Sequence, residues 1–419
     1  MEQSPIQNYS KVVNTLIFIF PIVIISIQVG GDIVLFILAM MGIFIAISKK
    51  ISPFDIKEIK VFSYLTIGYF IAVCISVIYS GQAAELAHYI PRDFYFLLAP
   101  FIALSLFKAE INISYLLVGI KVGLIVLAMI VLQQLLSGTH LISNRPSGVM
   151  NPNVFGNLSV CLFFTLLVFF QHESFKNKIT TLLPLFSGLI IIFVSGSRGA
   201  WLSFLFLLGV YLYFLNKQKI KLNSISKIFI VIIVAGTVSL SILNQPLKDR
   251  FFSMYTQTSD WIINGVPCEN GSTISSSGMR LEMYKSAIQK IEDVPFFSGH
   301  GYRTSNIAVF QNSKCFAGKI SYGYNHLHNA YLTNYFNGGI VLLGALLLIL
   351  FVPLRIFIKA NIQNRENPVF ISGALLTLGY ASFGMVNILL GDTYMNGFYT
   401  FFLAIFMLLY AQSVKISST

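Results

Sequence analysis

The stretch His326-Leu327-His328-Asn329-Ala330-Tyr331-Leu332 marks the point where a long polar part of the chain runs into an apolar one. Downstream, residues 330–354 carry no charge and pass through Leu346-Leu347-Leu348-Ile349-Leu350-Phe351. Such a run matches the ~20 residues that cross the hydrocarbon core of a bilayer as a helix, the one open-chain form that satisfies its own backbone there. Working outward, comparable runs fall at 12–30, 33–48, 61–80, 93–107, 113–136, 154–171, 180–195, 199–215, 226–243, 368–390 and 394–413. The fold expected is therefore an all-α polytopic membrane protein of about twelve transmembrane helices.

Composition supports this. Of 419 residues, 56% are hydrophobic and 11% charged, with a mean hydropathy of +0.76, which excludes an ordinary soluble globular class. The net charge of +12 is scattered among short loops instead of forming one basic stripe, which argues against a nucleic-acid partner. The first apolar run has only Lys11 close before it and no small-residue cleavage site after it, so it reads as a retained span.

The lysines sort by loop. Lys49, Lys50, Lys57, Lys60, Lys108, Lys176, Lys178, Lys217, Lys219, Lys221, Lys227, Arg355, Lys359 and Arg365 fall on one side if spans alternate, and the positive-inside rule makes that side cytoplasmic, with both termini. The other side holds Asp32, Arg92, Arg145, Arg198, Asp392 and the long loop. The chain then divides into 1–243 (spans one to nine), 244–329 (the loop) and 330–419 (spans ten to twelve). Membrane lipid is the one partner this organisation requires.

Of four cysteines, Cys74 and Cys161 lie in apolar runs as packing residues, while Cys268 and Cys315 share the long loop and are placed to bridge or to stay reduced. The first part of that loop, 244–278, is rich in Ser, Thr, Asn and Gly and reads as irregular. From Gly278 to Ile291, Leu281, Tyr284, Ile288 and Ile291 have the spacing of an amphipathic helix lying at the membrane surface. Asp293-Val294-Pro295 ends it, and Ser298-Gly299-His300-Gly301-Tyr302 reads as a tight turn.

Several residues on this face have chemistry beyond packing. Arg198, in Ser195-Gly196-Ser197-Arg198-Gly199-Ala200-Trp201, reads either as a substrate contact between two spans or as a snorkelling arginine. Arg280, at the start of the loop helix, stands at the positive end of a helix dipole, a placement that makes sense when an anion binds there too. His328 is a candidate general base, since imidazole accepts a proton near neutrality; His326 orients or packs, and Asn329 adjoins them. Arg145 is a further candidate substrate contact. Trp201 and Tyr331 read as interfacial aromatics. His-x-His without a third spaced ligand is a weak zinc signal, and no Asp-x-Asp for Mg²⁺ occurs in these loops, so neither a metal nor another cofactor is expected.

Ser197-Arg198-Gly199-Ala200-Trp201-Leu202, then Arg280 with Tyr284 and Ala287, then Pro295 with Gly299-His300-Gly301-Tyr302, then His328-Asn329-Ala330-Tyr331-Leu332 resemble, in order and spacing, the O-antigen ligase and polymerase superfamily of bacterial envelope glycosyltransferases. The resemblance is specific over about 195–342. It implies a twelve-span, GT-C-like, metal-independent, inverting transferase of the bacterial inner membrane with its site on the periplasmic face. It further implies an undecaprenyl-diphosphate-linked glycan as donor and the lipid A-core as acceptor, with Arg198 and Arg280 on the diphosphate and His328 as the essential histidine. The ligase pattern from His328-Asn329 is met through Gly339, but Leu342 departs from its last position, a point in favour of a polymerase. A transporter and a structural envelope protein are the readings from other classes; against transport, the polar groups gather on one face, no pair of broken helices is visible at mid-depth, and Lys121 is the lone clear cation well inside a span.

Overall fold

The computed structural model describes residues 5–79, 90–138, 145–217, 245–264, 276–304, 309, 326–363 and 367–416. Among these are thirteen α-helices and no sheet. We label them α1 (Pro5–Ser26), α2 (Gly30–Lys49), α3 (Lys57–Tyr79), α4 (Phe94–Phe107), α5 (Ile113–Ser137), α6 (Pro152–Phe170), α7 (Phe175–Val194), α8 (Arg198–Lys217), α9 (Gln245–Asn264), α10 (Ser276–Gln289), α11 (Ala330–Gln363), α12 (Pro368–Gly384) and α13 (Thr393–Ile416). Among the described residues ten segments are long and apolar enough to cross a membrane: the first eight, α11 and α13. This is a multi-pass membrane protein. The expected span 226–243, and Cys268 and Cys315, lie outside the described residues.

Two expectations need correcting. The eleventh span stops at Gly384 instead of 390, leaving α12 a helix of 17 residues. Its last carbonyls turn into an irregular segment, 385–392, that is held by other parts of the protein; non-helical backbone is tolerated near membrane depth only with such partners. The stretch 244–264, read as irregular, contains the 20-residue helix α9. Pro246 in its first turn, followed by no Gly or Pro before Asn264, was the available signal.

The apolar pattern decides the packing. α6 is apolar on all sides and buried along almost its whole length, so it takes the centre, against α5, α7, α8 and α12. α13 is the second central helix: Phe401 stacks on Phe20 of α1 at 3.8 Å and Tyr399 meets Tyr380 of α12 at 4.5 Å. α2 instead leaves Phe36, Phe44 and Ile47 exposed, a face suited to lipid. Lys121 is paired, with Glu173 at 2.7 Å in the turn between α6 and α7, where Thr181 donates to the same carboxylate.

The two ends of the bundle differ. Tyr9, Ser10 and Asn14 of α1 bond Ser105, Glu110 and Asn112, so the start of the first helix sits with the Lys108 turn. At the opposite end, Asp32 accepts from Tyr95, Gln28 from Tyr394, and Arg92 from Asn396. α13 begins at this second end and runs away from it, which brings the first and last helices' outer ends to the lysine-rich side.

α11 is broken. Gly338 (φ −142°, ψ 20°) and Gly339 (φ 58°, ψ −153°) leave helical geometry in its third turn. The loop 295–302 enters the gap: His300 N–H donates to the Phe336 carbonyl at 2.7 Å, Gly301 N–H to Asn337 at 2.9 Å, and Ile340 N–H to Phe296 at 2.7 Å. Ser76 of α3 bonds the Asn337 carbonyl at 2.7 Å. The Phe336 and Asn337 carbonyls, on buried residues, would lose these partners in a chain without the loop, at a cost of about 1–3 kcal/mol for each group left unsatisfied. Tyr302 locks the loop by donating to Asp93 at 2.8 Å, and Asn396 donates to the same buried carboxylate at 3.3 Å.

Gly339 is bound to its conformation twice over, by its positive φ and because a Cβ there would strike the backbone of Phe296 and Phe297. Gly339→Ala should therefore destabilise the purified protein by at least about 1–3 kcal/mol, seen as a lower melting temperature. Gly344→Ala, in the same helix with nothing within 4 Å of the added methyl, should not lower it. Equal melting of the two variants would show that the break is not under this constraint.

Candidate active site

The break fixes where α11 starts, and the site is built on that start. Asn329 is the cap: its Oδ1 accepts from Leu332 N–H at 3.0 Å and its backbone carbonyl from Thr333 N–H at 2.9 Å. The Thr333 hydroxyl in turn accepts from Leu327 N–H at 3.2 Å. Between these ties His328 is held at φ 50°, a left-handed conformation that costs a histidine on the order of 1 kcal/mol. Its N–H donates to His326 Nδ1 at 3.1 Å, and the two rings meet edge to face at 4.3 Å. Since Nδ1 of His326 accepts, a neutral His326 carries its proton on Nε2.

The expected surface helix is present as α10 but begins at Ser276, two residues earlier, so Arg280 is its fifth residue and opens its second turn. Its buried face is also rotated. Met283, Ser286 and Ala287 are buried against Val294, Leu327 and Phe336, while Ile288 and Ile291 are exposed. Met283 and Ala287 thus share one small apolar cluster with Phe336 of α11, and Ile288 and Ile291 keep the apolar outer stripe that a membrane surface accepts. Tyr284 then points its hydroxyl at two carbonyls, His328 at 2.8 Å and Met385 at 3.2 Å. Asn329 Nδ2 also donates to Met385, at 3.3 Å. The stretch after α12 is thereby tied to the histidines.

Burial and charge set the protonation here. Burial, the His326 ring and the Arg280 guanidinium push His328 down to about 2; burial and Arg280 push His326 down to about 4. Both imidazoles are neutral at physiological pH. Arg280 is itself lowered by burial, and among the described residues no carboxylate lies within ion-pair distance of it. A desolvated guanidinium without a carboxylate beside neutral imidazoles is an electrostatic arrangement that an anionic ligand completes.

Arg198 opens α8 after the Ser195-Gly196-Ser197 turn, in which Gly196 takes φ 62° and Ser197 Oγ accepts from Ala200 N–H at 3.4 Å. Its guanidinium donates to Ser253 at 2.6 Å and Gln257 at 3.0 Å on α9, and to Ser277 at 2.8 Å on α10. These acceptors are neutral and leave the charge in place. Ser277 stands three residues before Arg280 on the same helix, so both arginines belong to one end of α10. Arg145 stands behind the turn, donating to the Gly196 carbonyl at 3.2 Å. Trp201, expected in the interfacial belt, is buried with its indole N–H on the Ile192 carbonyl at 3.0 Å, because α7 and α8 meet there. Tyr331 donates to Ala381 at 2.8 Å.

The structure thus brings Arg198, Arg280, His326 and His328 to one end of the bundle, gives Asn329 a capping role, and puts Arg145 behind Arg198. Sequence reasoning placed Tyr284 only in the apolar stripe and beside Arg280 in the family likeness, and gave no role to Ser253 or Gln257, which became relevant only with the fold. His300 stands apart, 6.1 Å from the Phe336 ring. A groove of about 460 Å³, mostly apolar, opens beside the site between α8, α11 and α12, lined by Gly199, Phe206, Tyr331, Phe351, Leu378 and Met385 among others.

Residues 183–349, from α7 into α11, match a family model described as O-antigen ligase. An uncharacterized protein of Haemophilus influenzae is 28% identical over 222 residues, which are 50% of this chain and 52% of the relative. The chain spans about half the length of that curated relative. The matched segment contains Arg198, Arg280, His326 and His328, so the part of the chain that carries the candidate site is similar to the O-antigen ligase family.

Proposed function

We propose that this protein is an O-antigen ligase that moves a polysaccharide from undecaprenyl diphosphate to the lipid A-core oligosaccharide, by inverting, metal-independent glycosyl transfer at the periplasmic face of the bacterial inner membrane. The observation that carries this reading is the half-buried Arg280, without a carboxylate partner among the described residues, set against a neutral His328 on a helix, α10, that Arg198 also contacts through Ser277. The family match supports a transferase of lipid-linked glycans. The gathering of both chain ends on the lysine-rich side supports the orientation.

In this reading Arg198 and Arg280 take the diphosphate, and the polyprenyl chain lies in the apolar groove beside Gly199 and Met385. His328 takes the proton of the acceptor hydroxyl as its oxygen attacks the anomeric carbon from the face opposite the diphosphate. The glycosidic C–O bond breaks, its electron pair leaves on undecaprenyl diphosphate, and the arginines stabilise the charge gathering there. A diphosphate so held needs no acid to leave. The dianion also offsets the Arg280 charge, which raises the basicity of His328 at the moment it is needed.

A bacterium deleted for this protein and complemented with wild type, Arg280→Gln or His328→Ala tests the assignment. Bare lipopolysaccharide core with long glycans retained on undecaprenyl diphosphate, rescued by wild type alone, is the ligase result. Core capped by one repeat would make it a polymerase, the reading that Leu342 favours, and an unchanged lipopolysaccharide pattern would remove both. In vitro, Arg280→Gln should lower the transfer rate on the order of 10²-fold or more.

The pH profile has a definite sign. Because His328 is lowered to about 2 in the free protein, its base form persists as pH falls through the ordinary histidine range. The kcat/KM profile should accordingly stay flat from about pH 7.5 to about pH 5, without the acid limb near 6.5 that an unperturbed imidazole would give. A limb at 6.5 would count against His328 as the base.

A further inference from the structure

A second cavity, of about 210 Å³, lies on the other side of His326 and contains neither Arg280 nor His328. Its walls carry Arg92, Arg303, Asp392, Asn334, Asn337 and His326. Two guanidinium groups face one carboxylate, and that carboxylate is engaged: Asp392 Oδ1 accepts from Tyr394 N–H at 3.1 Å and Met395 N–H at 3.2 Å, capping α13. The lining itself thus carries two guanidinium groups to one carboxylate, with the buried Asp93 behind Tyr302 also acting on Arg92.

The cavity is built from constrained parts. Arg303 adopts φ 60°, outside the usual range of a long side chain, and its guanidinium lies over the Tyr302 ring at 5.8 Å. Tyr302 is the residue locked to Asp93, so Arg303 is carried by the segment that fills the break in α11. Asn334 and Asn337 come from the turns of α11 just before that break. Asn334 spends one Nδ2 hydrogen on the Ala330 carbonyl at 2.7 Å and keeps the other, and such an amide beside guanidinium groups gives a donor set for an oxygen-rich anion. The volume is below the ~300–1,000 Å³ of sites for drug-sized ligands, which limits the occupant to about one sugar residue. His326 is the shared wall: it lines this cavity and packs against His328 at 4.3 Å.

We infer that this cavity binds one anionic sugar residue of the acceptor, bearing a phosphate or a carboxylate, and so presents a neighbouring hydroxyl to His328. The inference rests on the transferase reading above for the word acceptor, but its binding test does not require turnover. Arg92 and Arg303 are thereby specificity residues, and His326 positions the bound sugar against the base.

Calorimetry on the full-length protein in lipid nanodiscs, with glucose 6-phosphate, glucuronate and glucose as probes, tests it. At least one anion should bind about tenfold or more tightly than glucose, and the stronger of the two identifies the charged group. The preference should vanish in the Arg92→Gln/Arg303→Gln double variant and survive in Arg280→Gln. If the double variant melts early, Arg92→Lys/Arg303→Lys, which keeps the charge, replaces it and should retain a weakened preference for the anion. Equal binding of all three sugars by wild type overturns the inference. So does an anion preference that Arg280→Gln abolishes and the double glutamine variant keeps, since the anion would then sit at the donor site. An anion preference located at Arg92 and Arg303, together with an unchanged lipopolysaccharide pattern in the deletion strain, would separate the cavity from the ligase reading and overturn its assignment to an acceptor.

Discussion

The requirement that buried backbone groups find partners organises this structure around the break in α11. Gly338 and Gly339 interrupt the helix, and the chain supplies loop backbone from Phe296 to Gly301 in place of the missing helical bonds. The exchange brings three separate parts of the sequence together: α3 through Ser76, the loop through His300 and Gly301, and α4 through the bond from Tyr302 to Asp93. A straight α11 would offer no carbonyls to the loop, and neither the histidine turn nor the Arg303 cavity would have its wall.

On that frame the site is held by neutral bonds and charged by arginines. Tyr284, Asn329, Thr333 and Met385 fix the turn through hydrogen bonds that carry no net charge. The guanidinium groups of Arg198 and Arg280 stay ionised in the same region, as only arginine does reliably when desolvated. The imidazoles yield to them and remain neutral. The resulting division of labour, fixed positive charge on one helix and a neutral proton acceptor on another, suits transfer from an anionic leaving group.

Much of this was legible in the chain. The apolar runs fixed the spans because the length needed to cross a bilayer is set by the bilayer itself. Arg198 and His328 stood out at span ends and Arg280 at the start of the loop helix, and the structure gathers them. The apolar stripe of α10 was legible but not the side that packs on protein, because Leu281, Ile288 and Ile291 follow a helical spacing whether that stripe faces protein or lipid. In water an apolar stripe points inward; at a membrane surface both sides of a helix can hold apolar groups, and the pattern alone has no sign. Trp201 was misplaced for the same reason, its amphipathic ring being as suited to a buried bond on Ile192 as to a headgroup layer.

The sequence by itself determined the class of protein, the ten spans found among the described residues and the polar side chains that gather at one end of the bundle. These follow from local quantities: hydropathy, length and the rarity of charge near apolar helices. Only the tertiary structure decided that Gly339 breaks α11, that α10 turns Met283 and Ala287 inward, that Lys121 is neutralised by Glu173, and that Arg92 and Arg303 share a cavity with His326. Each of these joins residues far apart in the chain, and whether two such groups meet depends on how whole helices pack.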